Sequence, residues 1–491
     1  MEKSLLLRKS LFSLVFLFLG FPLVILAFNV PLGAATWDPF LGTVVAGALK
    51  QSIFSLLLTL FLSFIGTFGL ISLKAKVSKI NFQIFCFLIS IPAFLPPIIV
   101  VVLGVKSLGQ LYTGLSGVVL YHLIMNIGLI TYLLFNQLND KAQLWMRDSY
   151  IMAVSPLKFI LKGLLPEIKE DLFAISFYLF VLYFFSFSVP FLVGGSQYGG
   201  IEVFIYEKIV FLGQWSEALH YTFVLFLLLL ILSSWVRSPS GYSLNKIESI
   251  ENYSSYLGFT ILSVIPLLPF LLILLGFVEV LLGQFMVFNW NENWQEIRVS
   301  LFTGLSVALC SFVILSLLVF CFMNHRWTRI LISWVQPGWV IVGFSFLLIS
   351  GNDSFWRLIL MILALSILYL PYLLRLNFFG SLNDLKDQVK VSRNFPVSWW
   401  TVFKQVLWPQ TLPTICLLSG LAGVWACGDF AMGDILIDPS QGGSLALKMK
   451  HLLSNYRLEK AIELSLPLIV CCAIIMAVFQ GFSYVSRKKT I

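Results

Sequence analysis

The feature that most constrains this chain is the return, about twelve times, of an apolar run close to the length needed to cross a bilayer, roughly 20 residues for a helix. The runs lie near 9–28, 51–73, 82–105, 114–136, 172–195, 217–236, 254–282, 297–322, 328–350, 356–377, 411–436 and 462–484. They are continuously apolar rather than alternating, which excludes a transmembrane barrel and leaves helices as the only structure that satisfies its own backbone in lipid. With 59% hydrophobic and 11% charged residues, the chain is too apolar for a soluble domain. The sequence therefore predicts an all-α polytopic membrane protein.

Charge then sets the orientation. The net charge of +9 would suit nucleic acid, but about 23 of the 32 Lys and Arg fall on one side of the twelve-span arrangement. Lys74, Lys76, Lys79, Lys158, Lys162, Arg326, Lys404 and Arg487 to Lys489 are among them. Topology accounts for the basic balance, with both termini cytoplasmic and no nucleic-acid partner. The opening MEKSLLLRK and the long run after it, with no clear A-x-A site, read as an uncleaved signal anchor. The seven cysteines fall inside predicted spans without a C-x-x-C, and the four histidines are scattered, so the sequence gives no reason to expect a metal centre.

An internal repeat organises the spans. VSPLKFILKGLLP at Val154 to Pro166 and VSWWTVFKQVLWP at Val397 to Pro409 lie 243 positions apart. The same offset places Gly128 on Pro371, Phe187 on Phe430 and Ala218 on Ala461. The chain divides into a first six-span unit, residues 1–253, and a second, residues 254–491. Because each has an even number of spans, the two are parallel repeats related by an axis along the membrane normal. The third span of each is interrupted by proline, in IPAFLPPIIVV at Ile91 to Val101, which contains Pro97, and in VQPGWVIVGF at Val335 to Phe344, which contains Pro337. A proline there frees a carbonyl and kinks the helix, either as ordinary packing or as a shared mechanical element.

The loop after the fourth span is long in both repeats, about Asn139 to Asp171 and Leu376 to Gln410. Basic residues alternate there with apolar ones at helical spacing: Leu157, Ile160, Leu161 and Leu164 in the first, Trp399, Trp400, Phe403 and Val406 in the second. The reading is a short amphipathic helix, lying in the headgroup layer or seated in a groove of a cytoplasmic partner. Its duplication in register points to the partner.

These loops resemble the docking loops of binding-protein-dependent ABC importer permeases, whose pattern runs E-A-A, three residues, Gly, about nine residues, then I-x-L-P. Leu165-Pro166 and Trp408-Pro409 match the ending. SFSVPFLVGG at Ser186 to Gly195, GGIEVFIYEKI at Gly199 to Ile209, PGWVIVGFSFLL at Pro337 to Leu348 and CGDFAMGDIL at Cys427 to Leu436 resemble the fused two-unit permeases of the thiamine and ferric-iron importers, the thiamine type more nearly. The loops depart from the pattern at the glycine, which falls on Ala153 and Pro396, and at the E-A-A triplets, which fall on Arg147-Asp148-Ser149 and Lys390-Val391-Ser392. The resemblance implies a channel subunit of the type I importer fold that binds no cofactor. Two copies of a cytoplasmic ABC ATPase would use the ATP, and a periplasmic solute-binding protein would deliver the solute. The absence of G-x-x-x-x-G-K-[ST] agrees with a non-enzymatic subunit.

On that resemblance the docking residues are Ala153, Val154, Ser155, Leu157, Ile160, Leu165 and Pro166 in the first loop, and Pro396, Val397, Ser398, Trp400, Phe403, Val406 and Pro409 in the second. Candidate pathway residues are Ser186, Phe187, Asp429, Phe430, Pro97 and Pro337. Asp429 is a costly acid in a span unless it faces protein or water, so it either lines the path and attracts a cation such as thiamine or lies close enough to the outer surface for hydration or an N–H partner. The segments Ser196 to Glu217 and Asp438 to Glu459 are gate elements or surface connectors. The rival function is an ion-coupled secondary transporter of the twelve-span class, which usually elaborates the loop after span two; here that loop is only LKAKVSK.

Overall fold

The computed structural model describes the chain apart from residues 1, 30–37, 75, 110–111, 153, 156–157, 159–161, 164, 196–197, 236–258, 285–289, 322–337, 352, 375–381, 383–384, 393–396, 438–442 and 489–491. Among the described residues every regular element is helical. The first repeat holds α1 (Glu2–Asn29), α2 (Leu41–Lys74), α3 (Lys79–Phe94), α4 (Pro97–Leu108), α5 (Gly114–Ile151), α6 (Leu165–Phe184), α7 (Ser188–Val193), α8 (Gly200–Val210) and α9 (Trp215–Trp235). The second holds α10 (Val264–Gln284), α11 (Trp294–Cys321), α12 (Trp339–Ser350), α13 (Ser354–Leu373), α14 (Lys386–Ser392), α15 (Trp399–Val402), α16 (Trp408–Cys427), α17 (Ala431–Leu436), α18 (Leu445–Ser454), α19 (Leu458–Glu463) and α20 (Ser465–Lys488).

Eight helical stretches among the described residues are long and apolar enough to cross a membrane, nine if the bent pair α3–α4 is one span. The remaining expected spans correspond to shorter or partly described pieces. The run near 172–195 becomes an apolar stretch Leu172–Phe184 followed by a turn and α7, and only the α12 part of 328–350 is described. The α3–α4 pair turns through 104°. Its cause is local: Leu95 precedes a proline and is extended (φ −77, ψ 146), Pro96 is extended in turn, and Pro97 starts α4, where a missing N–H costs nothing.

The 243-residue register reappears in two pairs of helices. Adding 243 to the bounds of α6 gives those of α16, and adding it to those of α7 gives those of α17. The turns after α8 and α18 both place a left-handed residue at the same register, Gly213 (φ 64) and Tyr456 (φ 57).

The contacts gather the chain into two compact units. One comprises Phe40–Ile201 and Tyr242–Gly283; the other comprises Met1–Pro39, Glu202–Gly241 and Gln284–Ile491. In the first, α10 lies along α2 and α4. Gly69 meets the backbone at Ser263, Ser72 and Thr260 share a hydroxyl hydrogen bond of 2.9 Å, and Ser107 donates to the Leu272 carbonyl at 2.6 Å. In the second, α1 packs on α12 through Leu26 with Ile341 and through Phe21 with Phe346. Each unit thus incorporates the opening helix of the other repeat.

The second unit is centred on α11, α16 and α20, which approach through small residues. A methyl group on Gly423 would lie 2.6 Å from the Gly304 carbonyl oxygen and 2.8 Å from Ala308 Cβ. With lipid tails as apolar as leucine, such close backbone approach, not hydrophobicity, holds spans together. Gly423→Ala should cost about 1–3 kcal/mol as overpacking and lower the Tm of the detergent-solubilised protein. Tyr456, 97% exposed, packs on nothing that its removal would forfeit. Tyr456→Gly should raise stability by about 0.5–1 kcal/mol, because relief of the left-handed backbone exceeds the added unfolded-state entropy, and the same melting assay reads it.

Candidate functional site

The second docking loop is the start of a long helical path. Ser398 caps it, accepting from Thr401 N at 3.2 Å, and the path runs from Trp399 through α15, a widened π turn at Phe403–Leu407, and α16. Pro409 therefore does not end an amphipathic helix, as its place in the sequence suggests; it sits in the first turn of α16. A proline ring clashes with the carbonyl four residues back and cannot donate to it, and a widened turn immediately before it accommodates both defects. The first loop solves the same problem in the same register. Lys162 and Gly163 form a π turn and Pro166 is the second residue of α6. α5 extends to Ile151, so the start of the expected loop is helix.

The apolar stripe of the second loop divides between interior and surface. The Trp399 indole donates to the Phe320 carbonyl at 3.0 Å, and the Arg8 guanidinium lies 4.1 Å above its ring. Phe403 packs edge-on against Phe320 at 5.2 Å and lies beside Trp408 at 5.6 Å. Val406 and Pro409 are half-buried. Trp400, 62% exposed, and Val397, 47% exposed, face outward beside the exposed Ser398. In the first loop Val154 is half-buried against the cluster of Phe68, Phe82 and Phe135, Leu165 is half-buried, and Ser155 and Pro166 are exposed. Ala153, Leu157, Ile160, Pro396 and Pro337 lie outside the described residues.

Four of the candidate pathway residues, Ser186, Phe187, Asp429 and Phe430, sit at two breaks, after α6 and after α16. Phe187 and Phe430 are both buried at 1% exposure, so their rings are core, and Pro97 is half-buried at the start of α4. Ser186 shares a hydrogen bond of 3.1 Å with His122 Nε2, and His122 Nδ1 shares one of 3.1 Å with Ser55. His122 also stacks on Tyr183 at 4.5 Å, whose hydroxyl meets Thr59 at 3.1 Å. At the second break Asp429 Oδ1 accepts from Met432 N at 2.7 Å, and the Tyr369 hydroxyl lies 3.4 Å from Oδ2. Each break thus leans on a polar side chain of the preceding long span, α5 or α13. Asp429 has the N–H partner that one of its two sequence readings names. His122, by contrast, offered no signal in the sequence beyond being a polar residue inside an apolar run.

The segments expected as gates or connectors are largely helical, as α8 and α18. α8, with eleven residues, is too short to cross a bilayer, yet Glu202, Tyr206 and Lys208 on it are buried. Glu202 Oε2 accepts from Val340 N at 3.1 Å and so caps α12, an approach open only because residue 338 is glycine. Tyr206 donates to Asp434 at 2.5 Å, and Lys450 of α18 pairs with the other oxygen of that carboxylate at 2.9 Å. Lys208 pairs with Asp38 and with Glu217 at 3.3 Å and donates to Gln214 at 2.7 Å.

Burial pushes the Glu202 carboxyl up to about 8, against the smaller opposing pull of the Val340 N–H. Its folded pKa thus lies above the unfolded value of 4.5, so across that interval the folded protein holds more protons than the unfolded one and loses stability as pH rises. Thermal unfolding from acid to mildly alkaline pH should show this decline in the wild type and a flatter profile in Glu202→Gln.

Residues 279–490 match the model of the family described as binding-protein-dependent transport system inner membrane component. No curated protein and no solved structure matches the chain. The match covers α11 to α20 and therefore the second docking loop and the Asp429 break. It supports a membrane-spanning permease of a binding-protein-dependent ABC transporter, the family to which this part of the chain is similar.

Proposed function

We propose that the chain is the translocation subunit of an ATP-driven importer in a bacterial inner membrane, carrying a small solute from the periplasm to the cytoplasm. Thiamine is the first choice of solute and ferric iron the next, both from the resemblance of the chain to fused permeases of those importers. The subunit contributes the path. A pair of ABC ATPases supplies the energy and a periplasmic binding protein supplies most of the selectivity. The permease-family match carries the importer reading, and it disfavours an ion-coupled secondary transporter.

The form of the second loop supports its role in coupling. Arg8 and Phe320 immobilise Trp399, while Trp400 and Val397 stand exposed one residue to either side of the Ser398–Trp399 pair. A rigidly seated aromatic presented outward is the type of side chain that anchors an interface, because it supplies area at low conformational cost. Force from ATPase closure would then pass through a held element rather than a loose loop.

Trp400→Asp should reduce co-purification of an ABC ATPase by about tenfold or more, the effect of losing one central aromatic anchor, with only a small fall in Tm from its lost ring contacts with Phe320 and Phe403. Affinity purification from native membranes with mass spectrometry reads the result. An ATPase retained by Trp400→Asp would reject this loop as the docking element. A solitary protein whose uptake follows an ion gradient would reject the importer.

A further inference from the structure

The two repeats form their breaks in identical register, so each serves as a control for the other. At the second break four aromatic side chains converge with one acid. Trp339 opens α12, Tyr369 and Tyr372 lie toward the end of α13, and Trp425 lies in the last turn of α16. Ring centroids are 5.4 Å apart for Trp339 and Tyr369, 5.5 Å for Tyr369 and Trp425, and 6.4 Å for Tyr372 and Trp425. Asp429, 7% exposed, meets this group through Tyr369. Trp339, Tyr372 and Trp425 are only half-buried, so the rings remain reachable.

The corresponding positions of the first repeat carry Pro96, Asn126, Leu129, Leu182 and Ser186. None is aromatic and none is charged. Even so, α7 forms there with the same length and register as α17, with no side-chain cap, while Ser186 turns to His122. A break of this length and register therefore forms in the first repeat without those rings or a carboxylate, on the His122–Ser186 contact instead. A buried carboxylate is costly unless paired, and among the described residues no Lys, Arg or His pairs with Asp429. Its Oδ1 serves α17, whereas Oδ2 has only the 3.4 Å contact with Tyr369.

We infer that Trp339, Tyr369, Tyr372, Trp425 and Asp429 form a recognition site for an organic cation in the second repeat. The faces of tryptophan and tyrosine attract a weakly hydrated cation through their ring quadrupoles, and the carboxylate supplies the countercharge that the fold withholds. A hard metal ion is a poor match, since it takes oxygen ligands and gains nothing from indole rings. This assignment rests on the reading of the chain as a translocation subunit, and it selects the organic-cation member of the two proposed solutes over ferric iron.

The test is equilibrium binding of radiolabelled thiamine to the full-length protein in lipid nanodiscs, with choline and ferric citrate as competitors. The variants are Asp429→Ser and Trp425→Leu, which install the residues that the first repeat tolerates at the same positions, and Asp429→Glu, which keeps the charge. Saturable binding that choline displaces is expected, weakened about tenfold or more in Asp429→Ser and Trp425→Leu and largely kept in Asp429→Glu, at unchanged Tm. Absence of saturable binding, equal binding in Asp429→Ser and Trp425→Leu, or displacement by ferric citrate would overturn the site. Co-purification of the ATPase is scored in parallel. ATPase without thiamine binding removes the site and leaves the importer, whereas thiamine binding without an ATPase does the reverse.

Discussion

Every backbone N–H and C=O within the bilayer has to find a partner inside the protein, and the rest of this structure follows from how that demand is met where helices break. Proline creates the defects. At Leu95 to Pro97 the chain answers with a 104° bend and a new helix whose first residue needs no donor. Before Pro409 it answers with a widened turn that keeps the helical path continuous. At the break after α16 the answer is a side chain, Asp429, whose Oδ1 accepts from the Met432 N–H, while at the break after α6 Ser186 and His122 pair with each other.

Satisfying the backbone in this way leaves the polar residues few and committed. Lys208 pairs with Asp38 and Glu217 and bonds to Gln214, and Asp434 is held by Lys450 and Tyr206. Both groups fasten α8, a helix of the first repeat, within a unit built mostly from the second. Glu202 joins them by capping α12. Three polar side chains on one short helix thus secure a segment that has too few residues to be held by lipid. Asp429 stands apart: among the described residues no Lys, Arg or His pairs with it.

The repeat itself was legible because sequence register survives even where identity does not. Val154-Ser155 and Val397-Ser398, Pro166 and Pro409, and Phe187 and Phe430 are enough to fix the 243-residue offset, and α6, α7, α16 and α17 obey it to the residue. The helical stripe of the second loop was legible too, but not its division. Periodicity places Trp399, Trp400 and Phe403 together, whereas the carbonyl of Phe320 and the guanidinium of Arg8 decide that Trp399 turns inward. The amphipathic helix ending in proline was misleading, since a π turn cannot be read from residue spacing.

Residue composition and spacing alone are enough for the solvent and the secondary structure: apolar runs of bilayer length that fold as helices, with a charge bias between their ends. These are properties of local composition and regular spacing, which need no knowledge of what packs on what. Only the tertiary structure decided which polar residues meet. His122 is 64 positions from Ser186, Asp429 is 60 from Tyr369, and Glu202 is 138 from Val340. So too with the helices that open each repeat, α1 and α10, which pack among elements of the other. Close approach at glycines is equally tertiary: Gly69, Gly304 and Gly423 meet neighbouring backbone and Gly338 admits the Glu202 carboxyl, and the absence of a side chain acquires meaning only against such a neighbour.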